Sequence, residues 1–186
     1  NGPNSNPPTF YPGHVRVFEN INGTWNQIGQ DIDGTVGTDD YSGYSVSLSD
    51  DGNILAIGSP RNDGNGPNAG HVQVYQFNGS QWNQIGQDIV GESAQDESGT
   101  SVSLSSDGSI VAIGASAAGG SNGTSTGHVR IYNYDGSLWT QLGQDLDGEA
   151  NSDKFGISVS ISSNGNSVAI GANEGGNTSI GYVRIY

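Results

Sequence analysis

Apolar and polar residues alternate over short stretches of this chain, and glycine-containing turns separate the stretches. Residues 101–105 (SVSLS) carry apolar side chains at every second position, and residues 72–77 (VQVYQF) begin with the same alternation. This period is typical of β-strands with one buried face. No segment keeps a 3.6-residue apolar period over ten or more residues. The pattern therefore predicts an all-β fold.

The alternation returns at a nearly fixed interval. Gly-His-Val begins at residues 13, 70 and 127, and Gly-Tyr-Val begins at 181, so the intervals are 57, 57 and 54 residues. Trp25, Trp82 and Trp139 recur in phase with these tripeptides. Such a period indicates one supersecondary unit that is copied and stacked. We expect a residue present in every copy to serve the architecture of the unit rather than a unique active site.

Each copy holds four strand-like segments joined as two hairpins. In the second copy these segments are 71–77, 82–89, 101–105 and 110–115. The hairpin connections contain Asn-Gly or Asp-Gly pairs, which supply the positive φ angles of tight turns; the pairs begin at residues 22, 78 and 135 and at 51, 107 and 164. Four short antiparallel strands at this spacing predict a β-propeller blade. A β-solenoid is the alternative, although its coils are usually shorter and do not need two hairpins per repeat.

One segment of each copy is apolar and built from small residues: 54–58, 111–114 and 168–171. We expect it to form the inner strand of a blade, where neighbouring blades crowd the axis and both faces are buried. The recurring tryptophan should fill the wider space between neighbouring blades.

The repeat boundaries predict about three blades plus one strand. The copies are 13–69, 70–126, 127–180 and a partial copy, 181–186, while residues 1–12 hold four of the six prolines and form a linker or an arm over the next element. Propellers close with four to eight blades, and open β edges invite association. We therefore expect either a piece of a longer protein or several chains that complete a ring or a polymer.

The balance of charges excludes two classes of partner. The chain has 5 Lys+Arg against 19 Asp+Glu, for a net charge of −14. Phosphate backbones and anionic membrane surfaces would be repelled, so we expect no nucleic-acid binding. No apolar run is long enough to span a bilayer, so we also expect no membrane insertion. Because cysteine is absent, disulfides and thiolate metal sites are excluded.

Two short motifs in each copy carry a family resemblance. Residues 42–46 (SGYSV) lead to 57–60 (IGSP), and the later copies give SGTSV with IGA and FGISV with IGA. Together they resemble the FG-GAP repeat, the blade motif of integrin α-subunit propellers. The extended form, with Trp-x-Gln-Ile/Leu-Gly-Gln-Asp after Gly-His-Val, resembles FG-GAP-like arrays in surface proteins of marine bacteria and microalgae. The resemblance implies a propeller fold and an extracellular or cell-surface location.

Integrin-type blades often carry an Asp-x-Asp-x-Asp-Gly calcium loop between the two motif halves. Here that stretch is only 49–53, 105–108 and 162–165, with one or two carboxylates and, in the third copy, none. Calcium takes six to eight oxygen ligands. We therefore expect hairpin turns at these positions rather than calcium sites.

A second acidic stretch follows the tryptophan strand in each copy. Its third occurrence is the richest in oxygen ligands and gives the weak metal candidates Asp145, Asp147, Glu149 and Asp153. Alternate strand residues point to opposite faces, so Asp145 and Asp147 share a face only if the strand continues. The default interpretation is a solvated connection between blades. No cofactor is expected, with calcium as the alternative.

The histidines and serines do not predict catalysis. His14, His71 and His128 occupy one equivalent position, which Tyr182 fills in the fourth copy, so a packing or hydrogen-bonding role is expected. No Gly-x-Ser-x-Gly and no Ser-x-x-Lys motif occurs. We expect no enzyme and name no catalytic or cofactor-binding residue.

Four N-glycosylation sequons occur, at Asn22, Asn78, Asn122 and Asn177. Asn22 and Asn78 are also explained as turn residues, whereas Asn122 and Asn177 lie in connections that vary between copies. The variable connections are 59–69, 115–126 and 172–180. On a repeated scaffold such loops are where partner recognition usually evolves. Their Gly, Asn and Ser content suits polar, glycan-like partners.

These observations predict a non-catalytic extracellular module with a structural or adhesive role, acting through protein–protein or self-assembly contacts. A carbohydrate-binding, lectin-like propeller is the first alternative, and a catalytic propeller hydrolase is the second. The expected partners are other proteins, glycans or copies of the chain itself. Pairing of 181–186 with 14–19 of another copy would build a filament or a closed ring.

Overall fold

A computed structural model describes residues 10–36, 38–119, 125–174 and 180–186. Within these ranges the chain forms β-strands and turns, so the predicted all-β class is confirmed. None of the described residues belongs to a helix that is long and apolar enough to cross a membrane.

Two complete blades occupy the middle of the chain, and all their strand pairs are antiparallel. The first full blade consists of β5 (Ser45–Leu48), β6 (Ile54–Ser59), β7 (His71–Phe77) and a fourth strand split into β8 (Trp82–Gln84) and β9 (Ile89–Val90). The second full blade consists of β10 (Ser98–Leu104), β11 (Ile110–Ala115), β12 (His128–Tyr134), β13 (Trp139–Gln141) and β14 (Leu146–Asp147).

Incomplete sheets flank these blades. The N-terminal half-blade holds only the third and fourth strands, as β1 (His14–Val15), β2 (Phe18–Ile21), β3 (Thr24–Gln27) and β4 (Ile32–Asp33). The C-terminal sheet holds only the first three strands, as β15 (Ser158–Ile161), β16 (Val168–Ala172) and β17 (Tyr182–Ile185). Propeller-type antiparallel blades are therefore confirmed, and the described strands amount to three blades plus one strand.

The sheets are out of phase with the sequence repeat. Gly58 of β6 pairs with Val72 of β7, across the boundary between the first two copies. Each full blade thus takes its first hairpin from one copy and its second hairpin from the next. Residues 10–12 also belong to the repeating structure, because Ser42 N donates to Pro12 O at 2.9 Å as Ser98 N donates to Ala69 O at 3.0 Å.

The apolar segment is buried as predicted in the two full blades and only alternately buried in the C-terminal sheet, and its position in the blade differs from the prediction. All six residues of β6 are buried, yet β6 lies second in its sheet rather than innermost. The first strands of neighbouring blades approach one another instead: Ser45 Oγ donates to Gly99 O at 2.8 Å and Ser101 Oγ donates to Gly156 O at 2.7 Å. Serine hydroxyls therefore link the blades at the side where an apolar strand was expected.

The hairpin turns have the predicted positive φ angles only in part. Asn22 and Gly23 both have positive φ, 53° and 88°, as a two-residue turn requires. In the first full blade the loop is longer, and Asn78 Oδ1 accepts hydrogen bonds from the backbone N–H groups of Ser80 and Gln81. That loop needs positive φ only at Gly79.

The hydrophobic core is divided among the joints between sheets. Trp82 and Trp139 are each only 3% exposed and belong to two such clusters, which confirms the predicted position of the tryptophan between blades. Trp25 is 67% exposed. The cluster under the C-terminal sheet is built around Phe155 and Ile170 and contains no tryptophan.

Candidate functional site

The two halves of the repeated motif meet across each full joint. A Cβ atom on Gly58, from the second half, would overlap the carbonyl oxygen of Gly99, from the first half of the next copy. Gly114 and Gly156 stand in the same relationship. The glycines are therefore required because the backbones of neighbouring blades touch where a side chain would lie.

Each buried tryptophan is held by three hydrogen bonds from the preceding blade. Trp82 N donates to Gln30 Oε1 at 3.0 Å, Gln30 Nε2 donates back to Trp82 O at 2.8 Å, and Trp82 Nε1 donates to Ile28 O at 3.1 Å. Trp139 makes the same three bonds with Gln87 and Ile85, at 3.0, 2.7 and 3.1 Å. The clamp belongs to the repeat, because both joints contain it in full.

The most concentrated group of ionisable residues lies at the joint between the two full blades. The Arg130 side chain is 5% exposed and donates to both oxygens of Asp145, from Nε at 2.9 Å and from Nη2 at 2.8 Å. Arg130 Nη2 also lies 2.5 Å from Glu92 Oε2 of the preceding blade. The hydrogen bond from Arg130 lowers the pKa of the Asp145 carboxyl. Arg130 therefore ties its own blade to the neighbour.

At the other joints, the positions equivalent to Glu92 and Arg130 are likewise either both charged or both neutral. Arg184 pairs with Glu149 across the next joint. Across the preceding joint the two positions hold Gln73 and Thr35, and Gln73 Nε2 donates to Asp88 at 3.0 Å within its own blade. These arginines were not predicted from the sequence. The signal that could have found them is that Arg and Glu appear together or are replaced together.

The residues at the recurring histidine position pack into the same joints. His71 and His128 are buried, and burial is the main cause that lowers the pKa of each imidazole. In the fourth copy, Tyr182 Oη donates to Asp153 Oδ2 at 2.7 Å, in agreement with the hydrogen-bonding role expected for this position. His14, in the half-blade, is exposed.

The predicted metal candidates do not form one cluster. Asp145 and Asp147 do come together, and His128, which the sequence analysis set aside as a ligand, joins them with all ligand atoms within 4.8 Å of one another. His128 arrives there because it pairs with Asp147 in the strand register. Glu149 instead binds Arg184, and Asp153 accepts from the backbone N–H groups of Glu149 and Ala150.

The contacts of Asp145 decide how these three residues are interpreted. Both of its oxygens already accept hydrogen bonds from the buried guanidinium of Arg130. A cation bound there would have to displace Arg130 or lie beside its positive charge, and both cost free energy. The arrangement of His128, Asp145 and Asp147 therefore fits an ion-paired joint better than a metal site.

The turns between the motif halves use their acidic residues internally. Asp51 Oδ1 accepts from Ser49 Oγ at 2.7 Å and from Asn53 N at 2.9 Å, and the hydrogen bond from Ser49 lowers the pKa of Asp51. In the third copy Asn164 Oδ1 accepts from Ser162 Oγ at 2.9 Å. Because a neutral amide replaces the carboxylate in the same bond, the turn needs an acceptor rather than a charge. This supports the expected hairpin turns.

Two of the four sequons lie in the described structure. Asn22 and Asn78 are exposed at hairpin tips. Asn122 and Asn177 lie outside the described residues. Glycosylation at any of the four positions stays a prediction.

A polar cleft of about 580 Å³ opens beside the connection at residues 61–69. The Arg61 guanidinium stacks on the Tyr41 ring, 4.5 Å from its centroid, and Asn62 Nδ2 donates to Asp40 Oδ2 at 3.2 Å. Asp39 and Asp63 also line the cleft. Amides, carboxylates and an arginine thus converge at one of the connections that vary between copies.

Comparison with known proteins supports the fold. Residues 25–75 match the family model of the FG-GAP repeat. No curated protein matches the chain. A Bacteroides uniformis protein described as a candidate 6-phosphogluconolactonase aligns at a TM-score of 0.57 and 12% identity, over 95% of this chain and 48% of that one. Hydrazine synthase of Kuenenia stuttgartiensis aligns at a TM-score of 0.52 and 11% identity, over 92% and 55%.

The chain spans about half the length of these two solved structures. At such low identity the likeness concerns the fold alone. The family match runs from Trp25 through both motif halves to the third strand of the first full blade, and the same motifs and joint contacts recur in the later copies. The chain therefore resembles FG-GAP repeat proteins, with a matching repeat at residues 25–75, and its described strands form a β-propeller-type fold.

Proposed function

We propose that this chain is a non-catalytic structural or adhesive module that works outside the cell, by contact with other proteins, with glycans or with copies of itself. One observation carries the proposal. The ionisable residues that recur in the repeats are engaged in contacts within or between blades, as Arg130 is with Asp145 and Glu92 and as Asp51 is within its turn. Side chains committed to these joints are poorly suited to bind and release a substrate.

The same observation argues against a catalytic propeller. His128, the histidine closest to a group of carboxylates, is buried beside Arg130 and Asp145. Its lowered pKa results mainly from burial, and Arg130 lowers it further. The neighbours described as a lactonase and a hydrazine synthase share only the fold with this chain, and a propeller fold hosts many functions.

Exposed apolar side chains support a role in association. Trp25 and Val36 are 67% and 90% exposed in the N-terminal part, and Val183 and Ile185 are 69% and 77% exposed on β17. Such side chains are available for contact with a partner. FG-GAP repeats typically occur in extracellular or surface proteins, which supports the location.

The polar cleft favours a second candidate, a carbohydrate-binding module. Asp39, Asn62 and Asp63 line it and offer hydrogen-bond acceptors and donors. Carboxylates and amides are groups that bind sugar hydroxyls. Under this candidate, binding would depend on Asn62 rather than on the ends of the array.

Three measurements on the purified chain test the proposal. Surface binding of the chain to itself and to extracellular matrix proteins should be saturable, and a glycan array should report the second candidate. Hydrolysis of 6-phosphogluconolactone should not exceed the spontaneous rate. Accelerated lactone hydrolysis that is lost in a His128→Gln variant would overturn the proposal. Glycan binding lost in Asn62→Ala, without self-binding, would favour the lectin-like module.

A further inference from the structure

Six Asn-Gly pairs occur in the chain, and four of them lie in the part that the structure describes. The described pairs begin at Asn22, Asn65, Asn78 and Asn164, and all four asparagines are exposed. Glycine has no Cβ to hinder its own backbone nitrogen, so this nitrogen can attack the side-chain amide carbon of a preceding asparagine. Because the four pairs share this dipeptide and their exposure, the hydrogen bonds around each pair decide how they differ.

In three of these pairs the glycine nitrogen donates a hydrogen bond to a residue that lies shortly before it in the chain. These bonds are Gly23 N to Asn20 Oδ1 at 2.9 Å, Gly66 N to Asp63 O at 3.1 Å and Gly165 N to Ser162 O at 2.8 Å. A nitrogen engaged in this way must release its acceptor before it can lose its proton and attack. The local structure therefore protects these three pairs.

The pair Asn78-Gly79 has the opposite arrangement. Gly79 N donates to none of the residues that the structure describes, and a Cβ built on Gly79 would meet nothing within 4 Å. Within the same described ranges, the side-chain nitrogen of Asn78 donates no hydrogen bond either. Both the attacking nitrogen and the nitrogen that would leave are therefore free of bonds that hold them in place.

The turn also activates the amide carbonyl of Asn78. Asn78 Oδ1 accepts hydrogen bonds from Ser80 N at 3.0 Å and from Gln81 N at 2.9 Å. When a nitrogen attacks Cγ, negative charge develops on this oxygen, and two backbone N–H groups aimed at it lower the barrier as an oxyanion hole does. Asn164 Oδ1 accepts two hydrogen bonds as well, but the glycine nitrogen beside it is engaged. Asn78 therefore combines a free attacking nitrogen with a polarised carbonyl.

We propose that Asn78 is a site of spontaneous deamidation, at which Gly79 N attacks Cγ and closes a five-membered imide ring. The N–Cγ bond forms as Gly79 N loses its proton, and the Cγ–Nδ2 bond breaks as the amide nitrogen takes up a proton and leaves as ammonia. Water then opens the ring. Addition of water at Cγ restores the normal backbone with an aspartate at position 78, whereas addition at the backbone carbonyl carbon leaves an isoaspartate, with the chain running through Cγ.

The next copy shows that the aspartate product fits this turn. Asp135 lies at the position of Asn78 in the repeat, and its Oδ1 accepts from Ser137 N and from Leu138 N, both at 2.8 Å. The hydrogen bond from Leu138 N is the main cause that lowers the pKa of the Asp135 carboxyl. An aspartate formed at position 78 should therefore keep both turn bonds and carry a negative charge.

Deamidation and glycosylation compete for the same atom of Asn78. Residues 78–80 (Asn-Gly-Ser) form one of the sequons, and an N-glycan would be attached to Nδ2, the nitrogen that deamidation releases. The two modifications therefore exclude each other. This exposed hairpin tip carries either a glycan or, once the amide is lost, an additional carboxylate.

Peptide mapping by mass spectrometry tests the proposal on chain made in a bacterial host, where no glycan occupies Asn78. The chain is incubated at mildly alkaline pH, once in buffer and once unfolded in urea, and the mass gain of deamidation is followed at each Asn-Gly pair. In buffer, Asn78 should react at least about fivefold faster than Asn164, the factor that corresponds to one hydrogen bond of about 1 kcal/mol. In urea this preference should disappear. Equal rates in buffer, or a preference that persists in urea, would overturn the proposal.

Two variants test the cause of the preference and the fit of the product. Asn20→Ala removes the acceptor of Gly23 N, so it should raise the deamidation rate at Asn22 about fivefold and leave the rate at Asn78 unchanged. An unchanged rate at Asn22 would show that hydrogen bonding of the glycine nitrogen does not govern the reaction, and would overturn the proposal. Asn78→Asp should unfold at the wild-type temperature, whereas Asn78→Ala, which loses both turn bonds, should unfold at a lower one. If Asn78→Asp is destabilised as much as Asn78→Ala, the turn does not accept the aspartate product.

Discussion

Glu92 and Arg130 lie on neighbouring blades, and their side chains meet at 2.5 Å between Oε2 and Nη2. The two positions are charged together or neutral together: the next joint has Glu149 and Arg184, and the preceding one has Thr35 with Gln73. An unpaired charge in a buried joint costs several kcal/mol, on the order of 3–5 when one partner is removed. The pairing explains why the two positions differ in concert between repeats.

Arg130→Ala should lower the free energy of unfolding by about 2–3 kcal/mol. Its guanidinium is buried, whereas Asp145 and Glu92 are partly exposed, so the loss should fall below that of a fully buried pair. Urea denaturation measures this loss of unfolding free energy. Arg16→Ala is the matched control, because Arg16 makes the same bond to Asp31 but is half exposed. That substitution should cost less than about 1 kcal/mol. Equal costs would contradict the joint role of Arg130.

Gly114→Ala should destabilise the protein by about 1–3 kcal/mol, as overpacked interiors do. The added methyl would overlap the carbonyl oxygen of Gly156 on the next sheet. Gly171 occupies the same motif position, but within the described residues the three atoms nearest to a Cβ there all belong to Ser158. Gly171→Ala should therefore cost clearly less in the same thermal unfolding experiment. A larger cost at Gly171 would mean that the close approach of blades does not explain the glycine.

Trp139→Ala should cost about 3–5 kcal/mol, because it empties a buried site and leaves Ile85 O without its indole donor. Trp25→Ala should change stability by less than about 0.5 kcal/mol, because Trp25 is 67% exposed. Chemical denaturation followed by far-UV circular dichroism compares the two without relying on tryptophan fluorescence. A large loss from Trp25→Ala would contradict its exposed position.

Stability should fall as the pH is lowered below about 6.5. Burial lowers the pKa of His71 and His128 in the folded chain. The unfolded chain therefore takes up protons first, near the ordinary value of 6.5, and stability is lost from there down to the folded pKa. For His128, Arg130 adds to this lowering, while Asp145, Asp96 and Asp147 oppose it. His128→Gln should reduce the slope of unfolding free energy between pH 7 and pH 5; an unchanged slope would refute the assignment.

Much of the fold follows from the spacing of residues. The repeat period, the alternating strands and the glycine turns predicted antiparallel blades, and the recurring tryptophan predicted the contents of the joints. The sequence did not predict where each blade begins and ends within the repeat, because the repeat period is the same wherever the boundary between units is placed. That β6 pairs with β7 of the next copy is decided by the long connection at 59–69, whose path carries no periodic signal.

The site was harder to predict because its contacts cross between blades. Asp145 and Asp147 were found because they lie two residues apart at the end of one strand. His128 joins them through strand register, and Glu92 reaches Arg130 from another sheet. Glu149 and Asp153 are near Asp147 in sequence but belong to the next joint. Nearness along the chain was therefore a poor guide to nearness in space.

Urea unfolding of the purified chain, with and without EDTA, tests the account most directly. If the joints are held by ion pairs, glycine contacts and tryptophan clamps, EDTA should leave the free energy of unfolding unchanged. A clear loss of stability in EDTA would contradict the account, because it would show that bound metal, rather than these side chains, holds the joints.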